Sequence, residues 1–171
     1  MGKMLEIFSC AAVCLLVLST PVSMHAQDPV AVVADNELSR IIPGGFYFDG
    51  QSAATQMRNA AAVRIGMKRH VIAALVDTSG YATDVRAKCE GFLVTDIPVR
   101  LGGKDLAIGV YAFGFTKDGL LNIFDLGGNQ LFSVKAVRDN GLRTPKPLTL
   151  LKAGDGIRLY RARDYVVVAL K

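Results

Sequence analysis

Residues 97–137 are broken into short pieces by three turn clusters. Gly102, Gly103, Lys104 and Asp105 form the first, Lys117, Asp118 and Gly119 the second, and Gly127, Gly128 and Asn129 the third. Between them lie Val110-Tyr111-Ala112-Phe113-Gly114-Phe115, residues 120–124 and residues 131–137. Short runs rich in β-branched, aromatic and leucine side chains, bounded by Gly, Asn and Asp, fold as antiparallel hairpins. A β-meander is therefore predicted here, and it constrains the rest of the chain to an all-β fold.

The flanking sequence continues the pattern. Phe46-Tyr47-Phe48 is predicted as a strand between the turns Pro43-Gly44-Gly45 and Asp49-Gly50. Residues 52–65 carry two patterns: Ala53, Met57, Ala60 and Ala61 share a helical face, and Met57, Ala61, Val63 and Ile65 alternate as in a strand. The turn Gly66-Met67-Lys68-Arg69, leading into the apolar run 71–76, favours the strand. Residues 81–88 read as a loop or one helical turn, and 89–95 as a strand. After the meander, residues 138–147 form a loop, 148–151 a short strand, and 157–161 with 165–170 a last hairpin. Val166-Val167-Val168 lacks polar alternation, so an interior strand covered on both faces is expected. The total of about nine or ten close-set strands predicts an antiparallel β-sandwich, jelly-roll-like or immunoglobulin-like, with a small closed β-barrel as the alternative. An outer-membrane barrel would need longer alternating strands and aromatic girdles, and the chain has no Trp.

Residues 1–26 have the layout of an export signal. Lys3 supplies positive charge, residues 7–18 are apolar apart from Ser9, and Pro21 precedes a stretch ending in Ala26. The apolar run is shorter than the roughly 20 residues a membrane-spanning helix needs. The expected product is an exported protein, periplasmic or extracellular, with no transmembrane helix after signal removal. Residues 27–45 are expected to form a tether or edge segment and residues 46–171 a single β domain. Cleavage would leave Cys89 and His70 as the sole cysteine and histidine, so no intramolecular disulfide is expected. Lys3 and Glu6 would leave together, preserving the net charge of +5.

These absences exclude much chemistry. One His and one Cys do not make a zinc site, and no loop has the dense Asp spacing of a calcium loop. No metal and no cofactor are expected. Walker-type and dinucleotide-binding glycine loops are missing. A Ser/His/Asp triad would have to join His70 to Ser79, which lacks the G-x-S-x-G elbow. Nothing resembles a nucleic-acid reader, and an exported chain would meet little nucleic acid.

One tetrapeptide stands out. The apolar run Ala73-Ala74-Leu75-Val76 leading into Asp77-Thr78-Ser79-Gly80 resembles the active-site turn of aspartic proteases. The resemblance implies Asp77 as the catalytic carboxylate and Thr78 as the residue fixing its loop, in a dimer of the retroviral type whose two Asp share one proton. Asp118-Gly119-Leu120-Leu121 is similar to a later apolar stretch of that family. Ser79 stands where the family has Gly, with Gly80 one step late. The plainer alternative is a strand end closed by a Ser/Thr/Gly turn.

Tyr111, Phe113 and Phe115 fall on one face of their strand. Exposed, such a row could stack on sugar rings, making Tyr111 and Phe113 candidate ligand contacts; otherwise it is core. Lys135, Arg138, Arg143, Lys146, Lys152, Arg158, Arg161 and Arg163 gather late in the chain among Asp139, Asp155 and Asp164. A basic face of this kind suits an anionic envelope polysaccharide, or a protein partner, if it is not simply solvated.

A wider resemblance covers the mature chain. Val99-Arg100-Leu101-Gly102-Gly103-Lys104-Asp105-Leu106, with Gly109-Val110-Tyr111 and the closing Leu159-Tyr160-Arg161-Ala162-Arg163-Asp164-Tyr165-Val166, is similar to small, uncharacterised exported bacterial β-sandwich proteins. It implies a fold and a destination and names no reaction. The function expected is that of an exported, non-enzymatic binding or envelope-associated domain, with the dimeric protease centred on Asp77 as the alternative.

Overall fold

The computed structural model describes residues 29–154 and 156–171. The predicted signal, residues 1–26, lies outside them. Strands make up 56% of the structure and helices 11%, in two antiparallel sheets with no closed barrel, as a β-sandwich requires.

The first sheet has the order β1 (Val30–Val32), β3 (Gln51–Ile65), β4 (Arg69–Val76), β5 (Gly91–Thr95), β8 (Gly109–Phe115), β9 (Leu120–Phe124) and β10 (Gln130–Lys135). A further strand, β2 (Gly45–Phe48), pairs with the first half of β3. The second sheet runs β12 (Thr149–Ala153), β13 (Gly156–Arg161), β14 (Asp164–Leu170), β6 (Val99–Leu101) and β7 (Lys104–Leu106), with β11 (Val137–Arg138) also on β14. The meander predicted for residues 97–137 is thus shared between sheets. Its hairpin β6–β7 leaves the first sheet to pair with β14. Lys104 and Asp105, read as turn residues, belong to β7, because Gly102 and Gly103 supply both positive-φ positions of a two-residue turn, at 54° and 88°.

Two apolar layers hold the fold. The inner one, between the sheets, includes Val63, Leu93, Phe113, Ile123, Leu150 and Val168. The outer one lies on the far face of the first sheet. There β2, α1 (Asp35–Ile41) and α2 (Thr83–Lys88) fold back, burying Leu38, Phe48, Val85 and Phe92. This double cover explains the unbroken apolar run of β4, whose residues 71–76 are all buried. The largest side chains in these layers, Phe48, Phe92 and Phe113, each contribute about 1.5–3 kcal/mol by leaving water.

The same logic corrects the reading of β14. Val166 and Val168 are buried, but Val167 is 44% exposed. β14 is interior to its sheet, yet that sheet's outer face is left to solvent at Val167. Helix α1 was not foreseen either. Residues 27–45 were read as tether or edge; residues 30–32 pair with β3 as an edge strand, and seven residues form a helix with Asp35 and Glu37 in its first turn and Arg40 in its last.

Residues 51–65 form a single strand, but an interrupted one. Thr55 pairs with Val76 and Ala60 with Ala74, so five steps along β3 face two along β4. The extra residues form a bulge at Gln56, Met57, Arg58 and Asn59. Asn59 and Gln56 close it: Asn59 Nδ2 donates to Gln56 Oε1 at 2.7 Å, and Gln56 Nε2 donates to the Val76 carbonyl at 2.9 Å.

Candidate functional site

The bulge lies beside the edge where β12 of the second sheet approaches β1 and β3 of the first. At the opposite side the chain passes from β10 directly into β11 and so from one sheet to the other, with Ala136 N held by the Gly119 carbonyl at 2.8 Å. On the bulge's side, β1 ends the first sheet and β12 the second. β1 runs along β3 to Val32 opposite Val63, Val33 N still donates to the Ala62 carbonyl at 2.9 Å, and β12 comes alongside both strands.

A groove of about 480 Å³ occupies this edge. Val32, Val33 and Leu38 line it from β1 and α1, Met57, Ala60 and Ala61 from β3, and Leu148, Leu150 and Leu151 from the β12 segment. Asp35, Arg58, Lys146 and Thr149 supply its polar groups. The groove draws on both apolar layers, since Leu38 belongs to the outer one and Ala61, Leu148 and Leu150 to the inner. Its volume falls within the roughly 300–1,000 Å³ usual for small-molecule sites, and an apolar lining with a few polar groups is their usual chemistry.

A smaller cleft of about 260 Å³ touches the other side of the bulge, at Gln56, Thr78, Arg86, Cys89, Glu90 and Arg161. Its polar groups already serve one another. Arg161 Nε meets Glu90 Oε2 at 3.2 Å, and Arg86 Nη2 donates to the carbonyls of Ser79 at 3.2 Å and Tyr81 at 3.1 Å. This cleft ties the second sheet to α2 and the end of β4.

Asp77 sits at the end of β4 and caps a 3₁₀ turn, Thr78–Gly80, accepting from Ser79 N at 3.0 Å. That backbone bond, with a second from the Ser79 side chain, holds the Asp77 carboxyl below its ordinary value. The carboxylate is exposed and occupied by its own turn, the chemistry of a cap. Thr78 is half-buried at the rim of the polar cleft.

Phe113 is fully buried in the inner layer, edge-on to Phe115 at 6.2 Å, so it is not available to a sugar. Tyr111 packs half-buried against the same layer and donates its hydroxyl to the Ala107 carbonyl at 3.1 Å. The aromatic row belongs to the core because its strand presents that face to the second sheet.

His70 and Ser79 lie at opposite ends of β4, roughly 20 Å apart at about 3.3 Å per strand residue. They cannot share a triad; His70 faces Asp96 instead, with Nδ1 3.6 Å from Oδ2. Cys89 is buried, and burial pushes its thiol up to about 12. Among the described residues, no group of three or more His, Cys, Asp or Glu comes together as a metal site would require.

Several of the late basic residues are engaged by neighbouring groups. Arg138 pairs with Asp164 at 3.3 Å, Arg158 with Asp139 at 3.8 Å and Arg161 with Glu90, while Arg163 donates to the Leu142 carbonyl at 2.5 Å. Lys146 is different: it lines the groove. Met57, Arg58 and Lys146 were not singled out as a set in the sequence. The signal available was Asn59, which breaks the strand alternation where the bulge occurs. No family model, curated protein or solved structure matches the chain.

Proposed function

We propose that the chain is an exported, non-enzymatic binding domain of a bacterial envelope, and that its ligand site is the groove between β1, α1, the β3 bulge and β12. The bulge carries this reading. It interrupts the ladder between two strands of the first sheet and sets Met57 and Arg58 in the groove wall. Bulges of this kind re-aim side chains and are over-represented beside functional sites. The capping role of Asp77, the buried thiol of Cys89 and the separation of His70 from Ser79 support binding over catalysis.

The test is a titration of the exported chain, after any processing of residues 1–26, with the uncharged fluorescent probe N-phenyl-1-naphthylamine. Saturable binding is expected. Leu151→Glu and Met57→Glu, each placing a charge in the groove wall, should weaken it at least tenfold without altering the melting transition by more than a few degrees. No saturable binding, or equal binding by all three proteins, would overturn the proposal.

A further inference from the structure

We infer that the groove takes a small amphiphile with an anionic head, its apolar body against Met57, Val32 and Leu151 and its head between Arg58 and Lys146. This rests on the groove being the ligand site, and it adds the chemical class of the occupant.

The charge distribution carries it. Arg58 and Lys146 are exposed at the groove, one from the bulge and the other from the segment before β12. Neither has an acidic partner among the described residues, whereas the neighbouring cations are engaged. Arg64 lies 3.8 Å from Glu37, and Arg161 bonds Glu90. Asp35 is the one acidic residue in the wall among the described residues, which leaves two cations there against one carboxylate. A charged group lowered beside an apolar surface gains most from an opposite charge there, because nearby water is partly displaced.

The apolar half of the ligand follows from the wall itself. Met57 is half-buried, packs on the outer layer and has an unbranched side chain able to adapt to an alkyl chain. Val32 and Leu151, 54% and 36% exposed, line the groove from β1 and β12. A sugar alone would leave these surfaces unmatched, and a bare anion would leave them wet.

The experiment is isothermal titration of the exported chain with four probes below their micelle concentrations where these apply: dodecyl phosphate, dodecyl maltoside, dodecyltrimethylammonium and inorganic phosphate. Dodecyl phosphate should bind at least tenfold more tightly than dodecyl maltoside, and inorganic phosphate should not bind measurably. In the double variant Arg58→Gln, Lys146→Gln that preference should disappear while dodecyl maltoside affinity stays within twofold. Equal binding of the three dodecyl compounds would overturn the anionic head and leave the groove as a ligand site. A preference for the ammonium compound would overturn it in favour of Asp35. Inorganic phosphate binding as tightly as dodecyl phosphate would remove the apolar body. Binding of none would overturn this inference together with the reading beneath it.

Discussion

The side-chain amide of Gln56 donates to the main-chain carbonyl of Val76 at 2.9 Å, standing in for a ladder bond where β3 bulges away from β4. Asn59 holds that amide from behind, at 2.7 Å from Gln56 Oε1. Two side chains therefore keep the sheet closed while the residues between them face the groove. Gln56→Ala should cost about 1–2 kcal/mol, the worth of a partly buried hydrogen bond and the orphaned carbonyl it leaves. A urea midpoint measures it, and the same variant should bind N-phenyl-1-naphthylamine more weakly.

Gly91 is required for a different reason. A Cβ there would press onto the Ala74 carbonyl and come within 2.9 Å of Phe113 Cζ. Neither neighbour can move, since both are fully buried within the first sheet. Gly91→Ala should destabilise by about 3 kcal/mol or more. Gly80→Ala, with nothing within 4 Å of its new Cβ, should stay within about 0.5 kcal/mol of the wild type. Paired denaturation curves compare the two directly.

Cys89 should behave as a core residue. Its thiol is buried, bonded to the Gly91 carbonyl at 3.5 Å, and raised to about 12. Iodoacetamide at neutral pH should leave it unmodified in the folded protein and label it in urea, read by peptide mass spectrometry at Cys89. Because the folded value lies above the unfolded one, the unfolded chain loses its proton first. Stability should fall as pH rises from near 9 toward 12, and Cys89→Ala should flatten that limb.

Asp139 works in the opposite direction. The Tyr160 hydroxyl donates to its Oδ2 at 2.8 Å and, with Gly141 N and the Arg158 guanidinium, holds the carboxyl below its ordinary value. A depressed value gives stability that is present above the unfolded pKa and lost as pH falls through the folded one. Thermal melts between about pH 6 and pH 2 should therefore show a shallower acid loss for Asp139→Asn than for the wild type.

Much of the fold was readable because turns announce themselves. Asp49-Gly50 and Gly102-Gly103 occupy positive-φ hairpin positions, and the alternation of residues 157–161 marks a half-buried strand. The strand favoured for residues 52–65 is present as Gln51–Ile65, while Asn59, which blurs its pattern, marks the bulge. Helix α1 was hidden because its seven residues bury Leu38 alone, too little for a helical period to show. Val167 was misread because three consecutive valines look alike whether or not the second face is covered. The groove was invisible for a further reason. Met57 and Arg58 lie far from Lys146 in sequence and share the groove with it because β1 ends at Val32 and β12 comes alongside, a tertiary relationship without a local pattern.

Ligand binding is proposed at the edge where β12 comes alongside β1 and β3. It is tested by mapping amide and methyl NMR shifts in the protein as N-phenyl-1-naphthylamine is added. The largest changes are expected on Val33, Leu38, Met57, Ala60, Leu148 and Leu151, with Asp77 and Thr78 unmoved. Shifts centred on the Asp77 turn, or spread evenly over both sheets, would contradict it.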